Sequence, residues 1–151
     1  MDTIRALFVG DIQIEKTTDY PFLDSVLAKE FSLCDVCCCN LEGPCVDETS
    51  WHPEKKVGPS VKQGKNVAST LRSSGFNMVS LANNHIMDYG RDALLHTIKE
   101  FGDFHRIGIY NPELHSNYVI IEKAGISVSF LAAGEVAFGC IQNSKTGFNY
   151  W

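Results

Sequence analysis

The 151-residue sequence contains no apolar run of the roughly 18 to 20 residues that a bilayer-spanning helix requires. Met1 leads directly into a strand-like segment, without the apolar core of a signal peptide. These two absences set the expectation of a cytoplasmic protein with no transmembrane segment, associated with a membrane only through partners. An excess of positive charge is also missing. Thirteen basic residues against eighteen acidic ones give a formal charge of -5, and the lysines and arginines are scattered rather than gathered into a stripe. That argues against a nucleic-acid partner. Gly58, Gly64 and Gly75 are not followed by the Lys-Ser or Lys-Thr of a phosphate-cradling loop, so a P-loop is not supported. There is no internal repeat and no low-complexity tract.

What is present is ordinary globular material. Hydrophobic residues make up 44% of the chain and charged residues 21%, values at which a chain can bury a core. The length suits one domain spanning 1–151. Four of the six cysteines, Cys34, Cys37, Cys38 and Cys39, crowd into one β-rich stretch. A zinc or redox reading of them is weak, because successive strand residues point to opposite faces and no second Cys or His pair has zinc-ribbon spacing. Reduced, buried thiols acting as small hydrophobes are the expectation.

Along the chain, strands and helices alternate. Ala6-Leu7-Phe8-Val9 is an apolar run that ends at Gly10-Asp11, the pattern of a buried parallel strand delivering a carboxylate to a sheet edge. Phe22, Val26, Leu27 and Phe31 have helical spacing over Pro21–Phe31, and Ser32–Leu41 reads as a second strand ending in Asn40 and Glu42. Residues 44–62 carry three prolines and several charges without a period. This is a long loop, and such loops are often functional. A helix over Lys65–Ser73 closes at Gly75, and a third strand over Asn77–Ala82 runs into Asn83-Asn84-His85. Ala93, Leu94, Ile98 and Phe101 form the stripe of a further helix, and Arg106–Tyr110 reads as one short strand. Tyr118–Ile121 and Ser127–Leu131 read as a hairpin, and the segment from Gly134 to Trp151 has no clear period.

Three strands thus end in groups able to bind a metal or carry a proton: Asp11; then Asn40 and Glu42; then Asn83, Asn84, His85 and Asp88. In open parallel sheets ligands bind beyond the carboxyl ends of the strands, so these groups are expected on one rim. Asx residues at strand ends also serve turns and helix caps, so the argument rests on convergence and not on any one residue. Carboxylates with an amide oxygen and an imidazole suit a divalent ion such as Mn²⁺, Mg²⁺ or Zn²⁺, which polarises phosphoryl oxygens and acidifies bound water. His85 could then serve as general acid or stabilise developing charge, the alternative being a structural histidine that caps the next helix. His52, His96, His105 and His115 share no spacing and are read as structural or surface residues.

Val9-Gly10-Asp11, Asn40-Leu41-Glu42-Gly43-Pro44 and the stretch from Ser80 to Gly90 resemble successive motifs of the CapA-like poly-γ-glutamate capsule-synthesis family, within the calcineurin-like metallophosphoesterase superfamily. The third motif is the most specific, and the likeness runs from about Leu7 to Ala133, including Ala124–Leu131. The resemblance implies a four-layered α/β/β/α sandwich with a metal centre on the strand rim. In it Asp11, Glu42 and Asn84 occupy ligand positions, His85 the proton-handling position, and Asn40, Asn83 and Asp88 supporting positions. It implies a phosphoester or anionic polymer as substrate, with a homo-oligomer or other capsule-synthesis proteins as partners.

Two departures bear on activity. The superfamily commonly has a histidine two residues after the first aspartate, where this chain has Gln13, and no histidine follows His115 to supply the later Gly-His-x-His-like element. The expectation is a fold incomplete at its C-terminus, either a fragment or a truncated homologue, with one sheet face left open to self-association. The competing functional class is a non-catalytic scaffold or anionic-polymer-binding subunit of capsule assembly, which needs only the rim.

Overall fold

The computed structural model of the chain describes residues 3–16, 22–46, 51–110, 118–134 and 147–148. Strands β1 (Ala6–Ile12), β2 (Val36–Leu41), β3 (Met78–Ser80) and β4 (His105–Ile107) form a parallel sheet in the order β1-β2-β3-β4. The crossovers carry helices α1 (Ser25–Ser32), α2 (Val67–Ser73) and α3 (Gly90–Glu100). Neighbouring strands are consecutive in sequence, which short crossover helices packed on one side of a sheet enforce.

The alternation of β2 decides which layer lies where. Cys37, Cys39 and Leu41 face the helices, packing with Phe31 of α1, Leu71 of α2 and Leu94 of α3 in the main core. Val36 and Cys38 point to the other face, where they meet Met78, Ile107 and Phe130. Phe130 belongs to a hairpin of β6 (Tyr118–Lys123) and β7 (Ile126–Leu131), joined by the two-residue turn Ala124-Gly125. The described residues therefore make an α/β/β stack, three of the four layers of the expected sandwich. On the hairpin side Phe8, Ile120 and Leu131 remain 58%, 48% and 65% exposed, whereas the helix-covered face holds Leu41, Leu71 and Leu94 at 0%.

The thiols behave as packing groups. Among the described residues Cys34, Cys37, Cys38, Cys39 and Cys45 are all unpaired, and all but Cys34 are buried. Burial pushes the Cys37 and Cys38 thiols up to about 11 and those of Cys39 and Cys45 up to about 12, which makes them inert at neutral pH.

Several boundaries differ from the sequence expectation. α1 begins at Ser25 rather than near Pro21, because the Asp24 carboxylate accepts hydrogen bonds from the N–H groups of Val26 and Leu27 at 2.8 and 2.9 Å and so acts as the N-cap. The helix continues to Ser32 and a tight turn follows, so β2 starts at Val36 instead of Ser32. The single strand expected over Arg106–Tyr110 is two, β4 and β5 (Ile109–Tyr110), broken at Gly108. Gly108 has φ +90°, and a Cβ there would lie 2.6 Å from Ala82 Cβ and 2.7 Å from Ala82 N, so only glycine fits that corner. β5 then leaves the main sheet to pair antiparallel with β8 (Gly147–Phe148), within the tail for which the sequence gives no period. His115 and the remainder of the tail lie outside the described residues. Among the described residues, no helix is long and apolar enough to cross a membrane.

Candidate functional site

Parallel pairing brings the carboxyl ends of β1, β2 and β3 to the same edge. β1 carries one extra residue relative to β2: Phe8 pairs with Cys38, but Asp11 pairs with Asn40. This bulge over Val9-Gly10 sets Asp11 directly across from Asn40, whose Nδ2 donates to Asp11 Oδ1 at 2.7 Å. Asn83, just past β3, donates from Nδ2 to Asn40 Oδ1 at 3.1 Å and to the Leu41 carbonyl at 2.9 Å. Its own Oδ1 accepts the His85 backbone N–H at 3.1 Å. A chain of amides therefore runs across three strand ends, from Asp11 through Asn40 and Asn83 to the backbone of His85.

The imidazole of His85 continues the network. Nδ1 lies 2.8 Å from Asp88 Oδ2 and 3.1 Å from Lys56 Nζ, while Nε2 lies 3.9 Å from Glu42 Oε1. Lys56 also donates to Asp88 Oδ1, and the Val61 N–H donates to Asp88 Oδ2 at 2.7 Å. Asp88 is fully buried, so its charge requires these partners. A lysine ammonium only donates, and Nδ1 cannot accept from it while donating to Asp88. The shorter contact to a buried carboxylate decides the tautomer: Nδ1 carries the proton and gives it to Asp88. Nε2 is then the nitrogen on the Glu42 side, available to take up a proton and pass it on.

The structure thus brings Asp11, Asn40, Glu42, Asn83, His85 and Asp88 together. Asn84 is exposed and, among the described residues, its side chain stays outside the network. Gln13 turns away to Glu15, donating to its carboxylate at 3.1 Å. His96 stacks edge-on against Trp51 with ring centroids 5.1 Å apart, and His105 is exposed on β4, so neither joins the rim.

Sequence reasoning did not find Lys56 and Gln63, which come from the segment between β2 and α2. Only the length of that aperiodic loop signalled its importance, and nothing in it marks Lys56 over Lys55. Gln63 is fully buried at the ends of β1 and β2.

Asp11 and Glu42 are hard oxygen donors at adjacent strand ends and Asn84 carries an amide oxygen, so the donor types, taken as chemistry, fit a divalent ion. Among the described residues no group of three or more His, Cys, Asp or Glu side chains is gathered so that it could hold a metal ion.

The family model described as bacterial capsule synthesis protein PGA_cap matches residues 5–150 of this chain. A curated relative, the PGA biosynthesis protein CapA of Bacillus subtilis (strain 168), is 30% identical over 108 residues. That alignment covers 66% of this chain and 28% of the relative's length.

Proposed function

Because the chain belongs to the bacterial capsule synthesis protein family PGA_cap, we propose that its rim is the acid and first-metal portion of a metal-dependent phosphoesterase-like site serving poly-γ-glutamate capsule biosynthesis. One observation carries the reading: three strand ends converge so that His85 Nε2 stands 3.9 Å from the Glu42 carboxylate while Nδ1 is fixed on buried Asp88. A histidine that only capped a helix would have no use for that orienting carboxylate.

In this reading Asp11, Glu42 and Asn84 would hold a divalent ion, Mn²⁺, Mg²⁺ or Zn²⁺. When bound, that ion supplies Lewis-acid polarisation of a phosphoryl oxygen. The chain's own residues do the rest. Asp88 fixes the His85 ring and tautomer, and Asn83 fixes its backbone. His85 holds a proton at Nε2 and delivers it to the leaving oxygen, a step that typically contributes about 10²- to 10⁴-fold. Asn40, donating to Asp11 Oδ1, orients that carboxylate.

The alternative is a rim that binds an anionic polymer without cleaving it, through bridging cations rather than through its own carboxylates; that role needs no closed metal cage, and among the described residues no group of three or more His, Cys, Asp or Glu side chains forms one. Phosphodiesterase activity and metal content of the purified chain with added Mn²⁺, beside a His85→Ala variant, separate the two. Turnover lost at least about 100-fold in His85→Ala is expected, by the general-acid magnitude above. An equal rate in both proteins sinks the hydrolase reading, and polymer retention without turnover establishes the binding one.

A further inference from the structure

We infer that Gln63 is a positioning residue that sets the spacing between the Asp11 and Glu42 strand ends, and through it the affinity of the rim for a divalent ion. The inference rests on the reading of Asp11 and Glu42 as ligands given above.

Gln63 is fully buried and uses every polar atom of its side chain on the two strand ends. Nε2 donates one hydrogen to the Ile12 carbonyl at 2.8 Å and the other to the Glu42 carbonyl at 2.7 Å. Oε1 accepts the Ile14 N–H at 2.8 Å. Ile12 ends β1 one residue after Asp11, Ile14 lies just beyond it, and Glu42 directly follows β2, so one amide ties together the two segments that carry the carboxylates. Strand pairing alone stops holding them at this point: Ile12 pairs with Leu41, the Glu42 N–H reaches the Ile12 carbonyl at 3.1 Å, and beyond that the strands separate. Gln63 enters the opening as a wedge.

The wedge is itself anchored. The Gln63 N–H donates to the Pro44 carbonyl at 2.8 Å, its carbonyl accepts from Val46 N–H at 3.3 Å, and Cys45 and Gln63 form a parallel bridge. The next residue, Gly64, donates to the Ile14 carbonyl at 2.7 Å, and a Cβ there would stand 2.0 Å from the Glu15 carbonyl oxygen. The segment therefore cannot slide along β1 without a clash.

The side-chain chemistry is specific. A primary amide offers two donors and an acceptor in one plane, as two carbonyls and one N–H require. Glutamate, of the same shape, would set an oxygen against the two carbonyls and force the strand ends apart. A buried glutamine could instead merely stabilise the fold, so the test needs a readout that stability alone does not move.

That readout is Mn²⁺ affinity, measured by electron paramagnetic resonance of the free ion, well below the unfolding temperature of each variant. Gln63→Glu is expected to weaken Mn²⁺ binding roughly 10- to 100-fold, the usual effect of removing a group that orients metal ligands. Gln63→Asn, one methylene too short to reach all three partners, should fall between it and the native protein and provides the test if Gln63→Glu does not fold. Asp11→Asn tests the underlying reading. If Asp11→Asn binds Mn²⁺ as the native chain does, or the native chain binds none, the rim is not the ion's site and this inference falls with that reading. If Asp11→Asn weakens binding while the folded Gln63 variants match the native affinity, the positioning role alone is overturned.

Discussion

The two ends of the parallel sheet carry polar residues of the same types, but they spend them differently. At the amino ends, Asn77 accepts the Cys37 N–H at 2.9 Å and donates to the Asp35 carbonyl at 2.8 Å, and Asp35 Oδ2 accepts the Arg5 N–H at 2.9 Å. Lys123 of the hairpin reaches Asp35 Oδ1 at 2.7 Å. Most of these bonds close on backbone, so the side chains there act as ties between the first residues of adjacent strands. At the carboxyl ends, beside the backbone bonds of Gln63, side chains bond one another in a network through Asp11, Asn40, Asn83, His85, Asp88 and Lys56. Two groups there, Glu42 and His85 Nε2, face each other at 3.9 Å without a hydrogen bond. At the amino ends the backbone-capping residues tie strand starts that carry no site group, whereas at the carboxyl ends the backbone tie Gln63 holds the segments that carry Asp11 and Glu42, and the side-chain network beside it leaves facing groups unbonded.

The largest expected effect comes from breaking the buried network. Asp88→Ala removes the buried carboxylate that Lys56, whose side chain is only 9% exposed, His85 and the Val61 N–H share. Removing one member of a buried pair costs about 3 to 5 kcal/mol, so the urea midpoint should fall sharply. A loss no larger than that of a surface substitution would show that Lys56 and His85 do not depend on Asp88, and would break the contrast between the two ends.

A smaller effect is expected from the tie. Asn77→Ala orphans the N–H of buried Cys37, and an unsatisfied buried donor costs about 1 to 3 kcal/mol. Urea unfolding should register that loss while Mn²⁺ affinity stays at the native value. If Asn77→Ala weakened Mn²⁺ as Gln63→Glu is expected to do, the ends of the sheet would be coupled, and the division drawn between them would be wrong.

How legible this was in the sequence follows from the range of the interactions. The apolar runs of β1 to β3 and the hairpin are local patterns, and the polar residues that end the strands fall at the rim because parallel strands must place their carboxyl ends together. The triad of Asp88, His85 and Lys56 was half legible. His85 and Asp88 share one helical-type turn, but Lys56 arrives from 29 residues before His85. Gln63 was not legible at all, since its bond to the Ile12 carbonyl spans 51 residues and no periodicity announces a side chain that substitutes for a strand. The break at Gly108 was hidden for a similar reason, because the constraint is the neighbouring backbone of Ala82.

The smallest effect concerns Asp35, where the comparison can be sharpened by pH. The hydrogen bond from Lys123, and then that from the Arg5 N–H, hold the Asp35 carboxyl below its ordinary value of 3.8. A carboxyl depressed in the folded state contributes stability that is fully present above the unfolded value and is lost as pH falls through the folded one. The contribution of Asp35 should therefore be constant at neutral pH and disappear below 3.8. Asp35 is partly exposed and the pair is screened, so the effect belongs at the bottom of the order. The unfolding temperatures of native protein and Asp35→Asn are expected to differ slightly at neutral pH and to converge below pH 3.8. A gap that persists unchanged into that acid range would mean that the carboxylate charge contributes nothing, and that Asp35 holds the strand starts by shape and neutral hydrogen bonding alone.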